Sequence, residues 1–229
     1  MDFQYKLKTH LSRIGLHEYE IRCLESLDGT IDDLFDYLKR DWRESLLEDL
    51  CPYFGVVWPA ALGLALRLAD ESLALRGKRC LEIGCGLALP SIVVRKLGGE
   101  ILATDMHPAV PEFLERNLKL NGVARLQYEI LNWVVEDIGE RLGRFDLVVG
   151  SDILYERRHL AEVPAAILKC LAPGGRVIIS DPGRPYLQDF VQAMERAGFQ
   201  AGTEVRGVPE NDGKVREVFV IEFTRPGVA

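Results

Sequence analysis

The sequence has no basic excess, no cysteine pair at metal or redox spacing and no long apolar run. Lys and Arg number 28 against 35 Asp and Glu, for a formal charge of −7. A protein that grips nucleic acid through its phosphates carries a basic excess or a basic stripe, so a nucleic-acid partner is not expected. The five cysteines, Cys23, Cys51, Cys80, Cys85 and Cys170, are odd in number and form no Cys-x-x-Cys. Reduced thiols in the cytoplasm are the expectation. The four histidines, His10, His17, His107 and His159, are scattered, with no ligand spacing to Cys or Asp, so no metal site is expected. Nowhere do roughly 18 apolar residues run together, which argues against a membrane span. The opening MDFQYKLKTHLSRIG lacks the apolar centre of a secretory signal, and Asp2 with little Ser or Arg argues against a transit peptide. There is no internal repeat and no low-complexity tract.

What is present suits one large α/β domain. The 229 residues are 48% hydrophobic, enough to bury a sizeable core. Residues 1–55 read as a helical N-terminal extension. Leu7, Leu11 and Ile14 recur at helical spacing, and so do Leu34, Tyr37 and Leu38 after a Thr30-x-x-Asp33 start. Cys51-Pro52-Tyr53-Phe54-Gly55 breaks this region. Trp58-Pro59 then opens a helix whose interior, 60–75, is almost wholly apolar.

Residues 56–229 read as the main domain. Strands are expected at 80–84, 100–105, 126–131, 146–154, 176–181, about 200–207 and 215–223. Helices fall between them at 91–98, 110–122, 160–171 and 187–198. This alternation predicts a seven-stranded, mostly parallel sheet with helices on both faces. Asn211-Asp212-Gly213 between the last two strands predicts a closing antiparallel hairpin.

The segment Leu81-Glu82-Ile83-Gly84-Cys85-Gly86-Leu87-Ala88 joins a strand to a helix. Glycine permits a sharp turn and a close approach of backbone to ligand. Ligands of open α/β sheets sit beyond the carboxyl ends of the strands, near the topological switch point. The dinucleotide fingerprint would place a third glycine where Leu89 stands, and Glu82 would repel a pyrophosphate. S-adenosylmethionine (SAM) instead carries an amino group and a sulfonium, which a carboxylate suits. Asp105, at the end of the next strand, is placed to accept both ribose hydroxyls.

Together, Glu-x-Gly-x-Gly, the strand-end Asp105 and Leu171-Ala172-Pro173-Gly174-Gly175 resemble the class I SAM-dependent methyltransferases across roughly residues 55–223. Three further segments are similar to the protein lysine methyltransferases that bear an Asp-x-x-Tyr motif. These are Trp58-Pro59, Leu131-Asn132-Trp133 and Ser151-Asp152-Ile153-Leu154-Tyr155. Asp181-Pro182-Gly183-Arg184-Pro185 resembles the branch of that family acting on the electron-transfer flavoprotein β-subunit. The resemblance implies a Rossmann-like fold and SAM as cofactor. It implies cofactor contacts from Trp58, Glu82, Gly84, Cys85, Gly86, Asp105, Met106, Asn132, Trp133 and Ser151. The family often has Asp where Asn132 stands and a third glycine where Ala88 stands.

Methyl transfer to an amine needs that amine neutral and aimed. A lysine amine, with a reference pKa of about 10.4, must lose its proton first. Asp152 is the candidate to orient the amine and take that proton. Tyr155, three residues on, is the candidate to wall the pocket and approach the cation face-on. Arg184 is a candidate to pair with Asp181 or with an acidic substrate surface. A protein substrate is the expected partner. The oligomeric state is open, with a monomer favoured. Two alternatives stay open: a small-molecule N- or O-methyltransferase, and a SAM-binding module without turnover. A nucleic-acid amino-methyltransferase would carry an Asn/Asp-Pro-Pro-aromatic run where this chain has Ser151-Asp152-Ile153-Leu154.

Overall fold

A computed structural model describes residues 3–134, 138–209 and 213–226. The N-terminal segment departs from the helical expectation. Residues Leu7–Ile14 (β1) and His17–Leu24 (β2) pair as an antiparallel hairpin, and only Leu27–Lys39 (α1) is helical in this region. The Leu7, Leu11, Ile14 spacing misleads because Leu11 is 70% exposed and belongs to no apolar face. In β2 the true period is two: Tyr19, Ile21 and Cys23 are buried, with Glu18 and Glu20 exposed between them. The turn is Gly15-Leu16, with Gly15 at φ +59°. Helix α1 starts at Ser26, whose side chain accepts the N–H of Gly29, rather than at Thr30.

The apolar helix after Trp58 is Pro59–Leu68 (α2); it stops before Asp70, whose side chain caps a separate short turn at Glu71–Leu73, so the expected stretch to 75 is not one helix. The main sheet follows. Its strands are Arg79–Ile83 (β3), Glu100–Asp105 (β4), Gln127–Ile130 (β5), Phe145–Ser151 (β6), Leu171–Asp181 (β7), Gln200–Pro209 (β8) and Val215–Thr224 (β9). The helices between them are Leu89–Lys96 (α3), Val110–Leu120 (α4), Ile138–Leu142 (α5), His159–Cys170 (α6) and Leu187–Arg196 (α7). The strand order is β5-β4-β3-β6-β7-β9-β8, with β9 antiparallel to both neighbours. Asn211 and Asp212 of the expected turn lie outside the described residues. Ala172-Pro173-Gly174-Gly175 sits at a register shift: Phe145 pairs with Leu171, and Leu147 with Arg176.

Adjacent strand residues serve opposite faces, so the central strands are largely apolar on both, with Glu82, Thr104, Ser180 and Asp181 as buried polar exceptions toward their tips. Cys80, Leu147, Val149 and Ile178 join α2, α3 and α4 in one core. Leu81, Ile83, Val148 and Ile179 join α5, α6 and α7 in the other. The hairpin belongs to the first core through Ile14, Tyr19, Ile21 and Cys23. It is also hydrogen-bonded to α4. Asn117 Oδ1 accepts the N–H of Arg22 at 2.7 Å, and one turn on Asn121 Oδ1 accepts that of Glu20 at 3.1 Å. Two side-chain amides thus supply the partner that a free strand edge would lack.

The chain runs outward from β3 through β4 to β5, then returns to place β6 on the other side of β3. The switch point therefore lies between the tips of β3 and β6, where Ile83 pairs with Gly150.

Candidate cofactor and acceptor site

The loop after β3 turns on three left-handed residues: Gly84 at φ +67°, Gly86 at φ +49° and Ala88 at φ +60°. Glycine adopts this region freely, whereas alanine does so at a cost of about 1–2 kcal/mol. The loop needs the turn at Ala88 regardless, since Ala88 is the N-cap of α3 and its N–H closes onto Cys85 O at 2.7 Å. At Gly84, a Cβ would lie 2.8 Å from Ile153 Cγ2 and 3.5 Å from Trp133 Cζ2. At Gly86 it would lie 2.9 Å from Phe54 O. The two glycines are thus where the loops after β5 and β6, and the segment before α2, close on the tip of β3.

Glu82 is fully buried and faces α3. Its Oε2 accepts the Ser91 N–H at 3.0 Å and also the Ser91 hydroxyl. That carboxylate caps the first turn of α3, a service Ala88 has no side chain to give. Its Oε1 is buried without a partner among the described residues. Burial pushes the Glu82 pKa up to about 8.

Asp105 ties two loops together. Its Oδ2 accepts the N–H of Gly86 and its Oδ1 that of His107, each at 2.9 Å. Burial raises its proton affinity, and those two donors oppose the rise. Each oxygen keeps a second lone pair for a hydroxyl. His107 is fixed as one tautomer. Its Nδ1 accepts the Ala109 N–H, so Nε2 holds the proton toward Leu50 O at 3.2 Å. Its ring lies 4.2 Å from that of Phe54. His107 and Phe54 hold the loops after β4 and before α2 together, a role the sequence did not reveal.

Asp152 ends the β6 tip at φ +56°, with its N–H donating to Ser180 O at 2.9 Å. Its carboxylate meets Arg184, whose Nε donates to Oδ1 at 2.5 Å. Arg184 thus joins Asp181 only through backbone: Asp181 Oδ1 accepts the N–H groups of Gly183 and Arg184 at 2.8 and 2.6 Å. Tyr155 is 50% exposed and stands edge-on to buried His159 at 4.6 Å. Trp133 stands edge-on to the same ring at 5.0 Å. His159 is therefore the hinge pin between Tyr155 and Trp133. Tyr155 lies in coil before α6, so its spacing to His159 gave no sequence signal of the contact.

Of the remaining expected contacts, Ser151 is partly buried beside Asp152, and Cys85 is buried within the loop, its thiol pushed well up by desolvation. Met106 is exposed beside Asp105. Asn132 is exposed, and its Oδ1 accepts the N–H of Val134. Trp58 is partly buried, and its indole N–H donates to Tyr53 O at 2.9 Å, next to the Phe54 carbonyl that faces Gly86. Among the described residues no cluster of His, Cys, Asp or Glu has metal-binding geometry. No helix among them is long and apolar enough to cross a membrane.

A seven-stranded sheet in this order, with a glycine turn and strand-tip carboxylates at its switch point, is the fold of the class I methyltransferases. The solved magnesium protoporphyrin IX methyltransferase from Synechocystis, determined with bound SAM, matches it at a TM-score of 0.58. That match covers 87% of this chain and 97% of that one at 15% identity. The sequence is more specific: the profile described as lysine methyltransferase matches residues 42–197, and the chain belongs to that family. Electron transfer flavoprotein beta subunit lysine methyltransferase of Rattus norvegicus is 34% identical over 136 residues, 58% of this chain and 52% of that protein. Protein N-lysine methyltransferase METTL21A of Danio rerio is 34% identical over 143 residues, covering 58% of each. The chain thus spans about half the length of the curated relatives it matches.

Proposed function

We propose that this chain transfers methyl groups from SAM to a lysine amine on a protein substrate. The observation that carries the reading is the placement of Asp152. It is a buried carboxylate held in a left-handed turn at the tip of β6, across the switch point from the Gly84–Gly86 turn.

The residues at the switch point fit the cofactor. Gly84 and Gly86 hold left-handed backbone packed against Ile153 and the Phe54 carbonyl with no room for a Cβ, which fixes the path of the loop beside the switch point. Glu82 keeps a buried oxygen without a partner, and Asp105 keeps free lone pairs. Trp58, Cys85, Met106, Asn132, Trp133 and Ser151 complete the proposed cofactor set. When bound there, SAM supplies a methyl group on a sulfonium, open to in-line attack by a neutral amine.

The chain's own part is alignment. Asp152 accepts an N–H of the neutral amine and aims its lone pair at the methyl carbon. Tyr155 walls the acceptor side, braced by His159. Such alignment contributes on the order of 7–11 kcal/mol. Residues 56–229 form the catalytic domain in this reading, and residues 1–55 an extension bound to it. We place the protein in the reducing cytoplasm as a monomer that acts on protein, not on nucleic acid or membrane. Five free cysteines support the compartment.

The test is to incubate the purified chain with methyl-labelled SAM and a cell extract, then hydrolyse the products. Label is expected in methyl-lysine. Asp152→Asn is expected to slow transfer roughly 10²-fold or more while SAM affinity by calorimetry is retained. Label confined to small molecules, or to methyl-arginine, removes the lysine reading.

A further inference from the structure

Asp152 does not face the acceptor side as an isolated anion. Its Oδ1 is held by Arg184 Nε at 2.5 Å, in a pair largely withdrawn from water: the two side chains are 6% and 33% exposed. The turn that delivers Arg184 is itself built. Asp181 Oδ1 takes the N–H groups of Gly183 and Arg184, Gly183 adopts φ +91°, and Pro182 and Pro185 restrict the backbone on either side. The bond engages Oδ1 of Asp152 and leaves Oδ2 for a second donor. The ionisable groups facing Arg184 are Asp152 after β6, Asp181 at the end of β7, and Tyr155. Glu156, Arg158 and Asp105 act in turn on Tyr155.

Resting on the methyltransferase reading, we propose that Arg184 is a positioning residue: its fixed charge neutralises Asp152, so the acceptor amine meets Oδ2 as a hydrogen-bond acceptor without being held as a cation. A lone carboxylate stabilises the ammonium form of a neighbouring amine and so keeps the proton that blocks attack. A guanidinium bonded to that carboxylate cancels the effect, and it stays charged at every working pH. Arg184 therefore acts on the amine through Asp152 and lowers the pH at which the amine becomes reactive.

The experiment measures initial methylation rate at limiting acceptor against pH, for the wild-type chain, Arg184→Gln and Arg184→Lys. Purified electron transfer flavoprotein and a cell extract serve as acceptors, with labelled SAM. The acid limb of the Arg184→Gln profile is expected to move up by about 1–3 pH units, a loss of tenfold or more near neutrality, with the alkaline plateau kept. Arg184→Lys is expected to restore most of the wild-type midpoint. A second measurement needs neither cofactor nor acceptor: the Nε–H resonance of Arg184 is expected to be protected from exchange and to lose that protection in Asp152→Ala, which leaves no acceptor there. An unmoved midpoint with a lowered plateau overturns the proposal in favour of a structural pair. A faster Arg184→Gln overturns it in favour of a side chain that obstructs the acceptor. No transfer by the wild-type chain at any pH removes the methyltransferase reading itself, and this proposal with it.

Discussion

Ser91 donates both its backbone N–H and its hydroxyl to one oxygen of Glu82, nine residues back across the turn from β3 to α3. The glycine turn between them is thus closed by a side-chain bond beneath it. Glu82 is both the cap of α3 and the wall of the proposed cofactor site.

That burial has a consequence for pH. The Glu82 pKa stands at about 8 in the folded chain against 4.5 for the ordinary group. Between those values the unfolded chain has lost the proton and the folded chain keeps it. Folding then takes up a proton, so this stability is fully present below pH 4.5 and is lost as pH rises through about 8. The slope is up to about 1.4 kcal/mol per pH unit. Glu82→Gln keeps an acceptor for Ser91 and removes the titration. Denaturant unfolding from pH 5 to 8 is expected to show a flatter profile in Glu82→Gln than in the wild type. Parallel profiles would mean that Glu82 is ionised in the folded chain. His107, whose pKa burial lowers, contributes in the opposite sense, and the difference between the two proteins cancels it.

The sheet was legible in the sequence because its central strands are largely apolar on both faces and α3, α4 and α7 end on glycine turns; the five-residue α5 was not expected, and α6 runs directly into β7 at Leu171. The glycine loop was legible for a stricter reason: Gly84 and Gly86 occupy backbone angles and spaces that side chains do not tolerate. The hairpin was not legible as such. Three leucine and isoleucine positions in β1 imitate a helix, while the informative alternation lies in β2, where Tyr19, Ile21 and Cys23 point inward. The partners of the carboxylates were hidden as well. Sequence offered Asp181 for Arg184, and the fold gives it Asp152. It set Asp105 against ribose, and the fold commits one lone pair of each Asp105 oxygen to backbone. Spacing tells which groups reach a strand tip, but not which donor each oxygen meets there.

Asn117 is the link between the N-terminal hairpin and the glycine loop. Fully buried on α4, it accepts the Arg22 N–H and donates to Leu87 O at 3.2 Å. Asn117→Ala leaves a strand-edge N–H and a loop carbonyl unpaired, at roughly 1–3 kcal/mol each. The expected result is a loss of about 2–6 kcal/mol in denaturant unfolding, with faster amide exchange at Arg22 and weaker SAM binding. Asn117→Asp, which keeps the acceptor and loses the donor, is expected to protect Arg22 and still weaken SAM binding. Equal exchange at Arg22 in all three proteins would show that the hairpin is held without Asn117, by its apolar contacts and by Asn121.

Gly84 tests the loop from the other side. Alanine there meets Ile153 Cγ2 at 2.8 Å and must also adopt φ +67°. The collision and the backbone strain can be separated. Ile153→Ala opens the space but leaves the strain, which costs about 1–2 kcal/mol. In a double-mutant cycle, Gly84→Ala and Ile153→Ala are therefore expected to couple favourably by about 1 kcal/mol or more, with the double variant still less stable than Ile153→Ala alone. SAM affinity should follow the same collision. The added methyl points at Ile153 and Trp133, so it reaches the proposed cofactor site by displacing the loops after β5 and β6. Calorimetry is therefore expected to find binding weakened in Gly84→Ala and largely restored in the double variant. Binding equally weak in both would show that the left-handed backbone at Gly84, rather than the closure of the β6 loop, is what the cofactor needs.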